Sequence, residues 1–303
     1  MSEHNRQSIN IGAVFPHLEI GDDPILIRDW AQAVEDIGYS HILAYDHVIG
    51  AVHDNREPRL WGPYTEASAF HEPFVLFGYF AAATQRVELA TGILILPQRQ
   101  TVLVAKQAAE IDILSNQRLR LGVGTGWNYV EYDSLNEDFA NRGTRQEEQI
   151  DLLRQLWSEP VIDYQGSHHR VDRAGLKPLP GRQIPIWFGG FAPVAFNRAA
   201  RIGDGFIYGS GHEANLEANE QVQAALAREG RDSAGFGLEA LLNFQSGPKH
   251  WRSEIEDWIE RGADYVSMRA MALRGQGEGL RSGQEHIDIL ATYWEEVGDL
   301  AYA

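Results

Sequence analysis

Residues 87–123, VELATGILILPQRQTVLVAKQAAEIDILSNQRLRLGV, contain the pattern that decides the fold. Two short apolar segments, 87–94 and 119–123, have the length and the aliphatic composition of buried β-strands. The longer segment between them, 101–114, has the length of a helix. A strand, a helix and a second strand in this order predict a parallel β-α-β unit.

The same alternation of short and long segments extends along the sequence. Strands are predicted at residues 9–15, 41–44, 87–94, 119–123, 184–188, 205–208, 236–243 and 265–268. Helices are predicted at residues 25–37, 73–83, 101–114, 144–157, 193–202, 213–228, 251–261 and 286–297. This strict alternation predicts one (β/α)8 TIM barrel domain of class α/β over residues 1–303, with a doubly wound open sheet as the alternative. The active site of such a barrel lies on the loops that follow its strands.

Two connections are too long to be simple turns. Residues 48–72 follow the second strand and contain Trp61, Tyr64 and Phe70. This loop lies on the predicted catalytic face, where it can serve as a lid. Residues 159–183 follow the fourth helix and contain a predicted hairpin around residues 164–167. This second insertion starts on the opposite face, which suggests a role in structure or assembly.

Composition excludes several classes of function. The 303 residues include 43 acidic and 26 basic side chains, which gives a formal net charge of −17. This charge repels nucleic acid and anionic membrane surfaces, so neither is an expected partner. The chain has no cysteine, which excludes disulfides, thiolate nucleophiles and cysteine metal ligands. Because no signal-like start and no long apolar run occur, a cytoplasmic location is expected.

Candidate chemistry lies where the first two strands end. Strand one ends in Phe15-Pro16-His17 and strand two in Tyr45-Asp46-His47. A histidine can give or take a proton near neutral pH, so His47 beside an aromatic loop is a candidate acid-base residue. The simpler alternative is a histidine that only satisfies hydrogen bonds within its loop. Arg269, after the last strand, is either a cationic contact for a ligand or a solvated loop residue, and the second is the simpler reading.

Glycines near the ends of the third and fourth strands indicate close approach to the backbone. Gly92 inside the third strand indicates a bulge, a flat ligand against the chain, or an adjustment of barrel packing. The turn after the fourth strand contains Gly124 and Thr125, and its free N–H groups can bind an anion or carbonyl oxygens. Its G-x-G-x-G spacing is not that of a dinucleotide-binding fingerprint.

The fifth and sixth strands end in turns that suit a phosphate group. Gly189-Gly190-Phe191 leads into a helix, where unpaired amides and the helix dipole favour an anion. Gly209-Ser210-Gly211 repeats this arrangement after the sixth strand and adds a hydroxyl group. Two such turns at successive strand ends predict a phosphate-bearing ligand.

Four segments resemble the luciferase-like monooxygenase superfamily, in particular its branch of oxidoreductases that use the deazaflavin coenzyme F420. They are YDHV at 45–48, LATGILILPQRQTVLVAKQAAEIDILS at 89–115, RLRLGVGTGWNYVEYDSL at 118–135 and IPIWFGGFAPVAFNRAARIGDGF at 184–206. They occur in the expected order. Two departures from the family are Tyr45, where serine is frequent, and LSNQR in place of LSGGR. The first leaves the choice between F420 and FMN open.

The resemblance implies a barrel that binds a flavin or deazaflavin at the carboxyl ends of its strands. Asp46 and His47 would lie beside the ring as catalytic residues, and His47 would serve substrate or proton transfer. A non-prolyl cis peptide bond in the bulge near Gly92 would support the ring. The residues expected to contact the cofactor are Phe15, Asp46, Thr91, Gly92, Ile93, Gly124, Thr125, Gly189, Gly190, Phe191 and Ser210. No metal site is expected.

The implied activity is hydride transfer between F420 and a small organic substrate, with His47 as general acid or base. The first alternative is an FMN-dependent monooxygenase that uses O2. Either enzyme can depend on a separate reductase for its reduced flavin or F420. The family also suggests a homodimer.

More remote alternatives are a non-catalytic flavin-binding protein and a metal-dependent barrel hydrolase. The hydrolase requires clustered ligands, whereas the end of strand one offers only His17. A Schiff-base lyase is disfavoured, because none of Lys106, Lys177 and Lys249 lies at a predicted strand end.

Overall fold

A closed parallel barrel dominates the computed structural model, which describes residues 8–272 and 278–302. Its strands are β1 (Asn10–Val14), β2 (His41–Ala44), β3 (Glu88–Thr91), β4 (Leu94–Ile95), β5 (Leu119–Gly124), β6 (Ile162–Gln165), β7 (Arg170–Ala174), β8 (Ile186–Gly189), β9 (Gly205–Tyr208), β10 (Gly237–Asn243) and β11 (Tyr265–Arg269). All except β6 and β7 belong to the barrel sheet, and β3 and β4 together occupy one barrel position. Pairing of β3 with both β2 and β5 closes the ring. The predicted TIM barrel is confirmed, and the open sheet is excluded.

Helices surround the barrel in the predicted order. They are α1 (Pro24–Ile37), α2 (Pro73–Ala83), α3 (Thr101–Leu114), α4 (Tyr129–Ser134), α5 (Arg142–Ser158), α6 (Pro193–Ile202), α7 (His212–Arg228), α8 (Pro248–Glu260) and α9 (Gly283–Val297). Eight of these match the predicted helices to within about three residues at each end. The short helix α4 was not predicted, because six residues are too few to show a helical period.

The third barrel strand is interrupted by a bulge. Segment 87–94 was predicted as one strand, but pairing shifts by one residue between Ala90↔Arg120 in β3 and Leu94↔Val123 in β4. The peptide bond between Gly92 and Ile93 is cis, as the resemblance implies. Glycine is required at 92, because a Cβ there would lie 2.1 Å from the side chain of Leu43. The bulge predicted from Gly92 is therefore present.

The second insertion folds into the predicted hairpin, β6 and β7. It starts after the carboxyl end of α5, yet its tip reaches the amino-terminal turns of α3 and α5. There His169 Nε2 lies 2.7 Å from the hydroxyl of Thr101, and Nδ1 lies 2.9 Å from Oε1 of Glu148. Glu148 also accepts backbone N–H groups of Ser167, His168 and His169. The hairpin thus packs along the outside of the barrel.

A polar network fills the end of the barrel opposite the predicted catalytic face. The guanidinium of Arg120 lies 2.5 Å from Glu239 and over the rings of Trp187 and Tyr265, at 4.2 and 4.5 Å from their centroids. Glu239 also contacts His41 at 2.9 Å. Burial raises the pKa of Glu239, but Arg120 and His41 oppose it and hold the pKa well below its usual range. The network is therefore a buried, charged layer.

The two ends of the described chain meet beside β1. Ile9 pairs with Ala301, and the N–H of Ile9 donates to the carbonyl of Leu300 at 2.9 Å. Across residues 8–272 and 278–302, none of the helices has the length and apolar character needed to cross a bilayer.

Candidate active site

His47 and Glu131 form a pair on the catalytic face. His47 follows β2, and Nδ1 of its ring lies 2.8 Å from Oε2 of Glu131 on α4. The other oxygen of Glu131 accepts the backbone N–H groups of Val48 at 2.7 Å and Ile49 at 3.3 Å. Glu131 is completely buried. Within the described part of the chain, Nε2 of His47 has no hydrogen-bond partner. The ring is therefore oriented from one side and chemically available on the other.

Aromatic rings enclose His47. Its ring centroid lies 5.0 Å from that of Tyr64, 4.9 Å from that of Phe70 and 5.8 Å from that of Trp127, all in edge-on arrangements. Tyr64 and Phe70 belong to the loop after β2 and pack on the apolar side chains inside the barrel. The first insertion therefore covers the mouth of the barrel, as expected for a lid.

Asp46 connects β2 with the bulge. Its Oδ2 accepts the N–H of Ile95 at 2.9 Å, and both carboxylate oxygens contact the guanidinium of Arg99, at 2.7 and 3.2 Å. The third guanidinium nitrogen of Arg99, Nη1, donates to Glu72, which caps α2, at 2.9 Å. Asp46 is 3% exposed, so its carboxylate is directed toward protein groups. In this structure Asp46 holds the walls of the site, and its predicted catalytic role stays a prediction.

His17 joins the two ends of the aromatic loop. Backbone N–H groups of Tyr45 and His71 point at its Nε2 and Nδ1, at 3.0 and 3.2 Å. A neutral imidazole has one acceptor nitrogen, so only one of these contacts can be a hydrogen bond at a time. Burial, and then the neighbouring His71 and His47, lower the pKa of His17 well below its usual value. His17 is therefore a neutral ring between two backbone donors.

The bulge and the neighbouring strand ends lie together. The hydroxyl of Thr91 donates to the carbonyl of Gly122 at 2.7 Å. The side chain of Ile93 lies against both Gly124 and Gly189, where added Cβ atoms would be 2.5 and 2.7 Å from it. The structure therefore brings five of the predicted cofactor contacts to one part of the mouth: Thr91, Gly92, Ile93, Gly124 and Gly189.

A cavity of about 270 Å³ adjoins this region, between the amino-terminal ends of α6 and α7. Three further predicted contacts, Gly190, Phe191 and Ser210, line it. Neither helix has a side-chain N-cap hydrogen bond. N–H groups without a side-chain cap at helix ends suit a phosphate. At these two ends Pro193 has no N–H group, and the N–H of Ser210 already donates to Asn215 at 2.8 Å. Glu217 also lines the cavity and would repel an adjacent anion, so the helix ends are the part suited to phosphate.

A ring cofactor with a phosphate-bearing side chain fits this arrangement. A Cβ on Gly190 would lie 2.8 Å from the Cβ of Ala195, so the turn that leads to the cavity packs this closely on α6 because residue 190 is glycine. The same turn runs without interruption from the bulge to the cavity. The ring can therefore lie on the bulge while its phosphate lies in the cavity.

Two predicted cofactor contacts, Phe15 and Thr125, have contacts within the protein, and their contact with a cofactor stays a prediction. Phe15 is fully buried and packs on Trp30 and Phe80, at centroid distances of 5.3 and 5.5 Å. Its ring faces the surrounding helices. Thr125 lies at the end of β5, where its carbonyl accepts the hydroxyl of Tyr132 at 2.7 Å.

The structure adds residues that the sequence did not suggest. Glu131 lies four residues past Trp127, on the short helix α4 that follows the end of β5, and its position near a strand end was the available signal. No comparable feature of the sequence pointed to Arg99. The interpretation of Arg269 as a solvated loop residue was wrong, because it is 5% exposed and hydrogen bonds to Tyr45. No group of three or more potential metal ligands occurs within residues 8–272 and 278–302.

Comparison with known proteins identifies the family. The model of the family described as luciferase-like monooxygenase matches residues 13–301. An uncharacterized protein of Mycobacterium tuberculosis is 33% identical over 235 residues, which cover 75% of this chain and 80% of that protein. The F420-dependent glucose-6-phosphate dehydrogenase of Nakamurella multipartita is 32% identical over 227 residues, which cover 72% of this chain and 61% of that enzyme.

Solved structures share the fold. Monooxygenase RslO1 of Streptomyces bottropensis superposes with a TM-score of 0.77 at 16% identity, covering 96% of this chain and 99% of that one. An F420-dependent secondary alcohol dehydrogenase bound to an F420–acetone adduct superposes with a TM-score of 0.74 at 16% identity, covering 97% and 100%. The family match, the sequence identities and the site geometry agree. This chain belongs to the luciferase-like monooxygenase family and is an oxidoreductase with a flavin-type or F420 cofactor.

Proposed function

We propose that this chain is an F420-dependent oxidoreductase that transfers a hydride between the deazaflavin ring and a small organic substrate. The observation that carries the proposal is His47, whose ring is held by Glu131 at 2.8 Å among aromatic side chains and whose Nε2 has no hydrogen-bond partner among the described residues. The choice of F420 is supported by the relative of 32% identity that is named for this coenzyme.

In this proposal, different residues of the chain have different roles. When bound, F420 supplies the hydride donor or acceptor. The bulge at Gly92 and Ile93 would support the ring, and the helix ends at Gly190 and Ser210 would bind the phosphate. During substrate oxidation, Nε2 of His47 takes the proton of the substrate hydroxyl as the hydride leaves carbon. In the reverse direction His47 returns that proton to the carbonyl oxygen.

The aromatic loop would exclude water from this reaction. Tyr64, Phe70 and Trp127 surround the imidazole. Desolvation by the surrounding side chains, and then Tyr45, raise the pKa of Tyr64 well above its usual range. A phenol held neutral by burial offers a hydrogen bond without adding charge. The loop must open for substrate to enter, so its movement is expected to accompany each turnover.

Cofactor titration tests the assignment directly. We expect fluorescence-detected binding of F420 and weaker binding of FMN. Reduction of F420 would then be followed with glucose 6-phosphate and 2-propanol as probe substrates, because the relatives are named for these substrate classes. The assignment fails if F420 does not bind while FMN binds and supports oxygen consumption, a result that would favour the monooxygenase alternative.

His47→Ala tests the proton-transfer role. We expect kcat to fall by about 10²- to 10⁴-fold, the usual contribution of a positioned acid or base, with little change in cofactor affinity. The control is His168→Ala on the exposed hairpin, which should retain wild-type turnover. Loss of cofactor binding together with turnover in His47→Ala would instead indicate that the residue maintains the site.

We also propose that the protein forms a homodimer and receives reduced cofactor from a separate reductase. The support for a dimer is a surface on α2 and α3 where Val75, Tyr79, Val102, Leu103, Ile113 and Leu114 are exposed. Light scattering of the purified protein measures the oligomeric state. Leu103→Glu should then give a monomer if this surface is the contact.

A further inference from the structure

We propose that Glu131 is a positioning residue that fixes the proton of His47 on Nδ1 and so keeps Nε2 in the form that accepts a proton. The inference rests on the proposed role of His47 and adds a residue to it. Glu131 touches neither the open face of the imidazole nor the bulge, so it acts through His47 and the loop rather than on a substrate.

The direction of the hydrogen bond follows from what surrounds the carboxylate. One oxygen of Glu131 accepts two backbone N–H groups, from Val48 and Ile49. The other oxygen lies 2.8 Å from Nδ1 of His47. Because this carboxyl group already acts as an acceptor for two N–H groups, we assign the proton to Nδ1, and the neutral ring then presents its lone pair on Nε2. Complete burial of Glu131 removes water as a competing partner.

The same carboxylate connects His47 to the lid. Val48 and Ile49 are the first residues of the aromatic loop, and Glu131 lies on α4, more than eighty residues further along the chain. Loop position and imidazole tautomer are thus determined by one side chain. If Val48 moved away, Glu131 would lose a backbone donor and its position against His47.

Glu148 offers an internal control. It too contacts Nδ1 of a histidine, His169, at 2.9 Å while accepting backbone N–H groups of neighbouring residues. This pair lies in the outer hairpin, away from the mouth. Glu131→Gln and Glu148→Gln therefore remove similar contacts from the active and the outer site.

Nitrogen-15 NMR of histidine-labelled protein measures the tautomer without cofactor or substrate, and His47→Ala assigns the signal. We expect His47 to carry its proton on Nδ1 in the wild type. In Glu131→Gln the amide N–H₂ faces Nδ1, so the proton should move to Nε2. Glu148→Gln should alter the His169 signal only. An unchanged His47 signal in a folded Glu131→Gln protein would overturn the inference.

Turnover provides the second readout, with F420 and whichever probe alcohol is oxidised. We expect Glu131→Gln to lower kcat by no more than His47→Ala does, and the double variant to lose little beyond His47→Ala, because Glu131 acts through His47.

A third variant tests the inference in case Glu131→Gln does not fold. Glu131→Asp retains a carboxylate and should keep the Nδ1 proton in most of the population, with partial activity. If Glu131→Gln does not fold, an Nε2-protonated His47 in the wild type would contradict the inference by itself. The tautomer measurement is independent of cofactor choice, so it can fail while F420 dependence holds, and the reverse.

Discussion

His17 is the residue on which both ends of the lid meet, and its buried ring makes folding depend on pH. Burial and the neighbouring histidines lower its pKa well below the usual value. The unfolded chain binds this proton below about pH 6.5, whereas the folded chain does not. The stability that neutral His17 contributes is therefore fully present above that pH. It decreases as pH falls toward the lower pKa of the folded state.

The prediction is a difference between variants in urea unfolding at about pH 7.5 and about pH 5.5. Wild-type protein should lose more stability over this interval than His17→Asn does, up to about 1.4 kcal/mol per pH unit for one proton. His250→Asn, on the exposed surface of α8, should behave like the wild type. Equal pH dependence of His17→Asn and wild type would show that another group is responsible.

At this scale the sequence located candidate residues but not their partners. Asp46 and His47 were found because they follow a strand. Their partners Arg99 and Glu131 are 53 and 84 residues away, and closure of the barrel brings them together. No local pattern encodes such distances. For the same reason, the sequence alone did not distinguish the buried Arg269 from a solvated arginine.

At the scale of elements, the turns before α6 and α7 decide whether a phosphate can bind. Gly190→Ala places a methyl group 2.8 Å from the Cβ of Ala195 and would deform the turn that lines the cavity. We expect at least about tenfold weaker cofactor affinity, equivalent to about 1.4 kcal/mol, by fluorescence titration. Gly211→Ala is the matched control, because its added Cβ would meet no atom within 4 Å. Equal affinities for the two variants would place the phosphate elsewhere.

Local patterns predicted the elements well. The barrel strands are short apolar segments and the eight long helices are longer segments rich in apolar residues, and both are visible within their own residues. The bulge was also predictable, because Gly92 interrupts a strand that is otherwise aliphatic. The path of the hairpin was not, since its contact with Thr101 depends on how α3 and α5 lie side by side.

For the molecule as a whole, removing one partner from the buried network opposite the active face is expected to destabilise the fold. Glu239→Gln leaves the guanidinium of Arg120 buried with Glu88, at 2.8 Å, as its remaining anionic partner among the described residues. Breaking a buried ion pair typically costs about 3–5 kcal/mol, so urea unfolding should show a loss of that order. Cofactor affinity should change little, because the network lies at the far end of the barrel. Glu256→Gln, in an exposed pair with Arg252 on α8, should have little effect.

Because Ile9 pairs with Ala301, the two ends of the described chain lie side by side and could be joined without disturbing the barrel. A short peptide that joins these two neighbouring segments would run beside β1, at the end of the barrel away from His47. The chain could then be opened at an exposed turn such as Gly230, and every strand would keep its present neighbours. The fold thus permits circular permutation, with the lid, the bulge and the phosphate cavity carried unchanged into a reordered sequence.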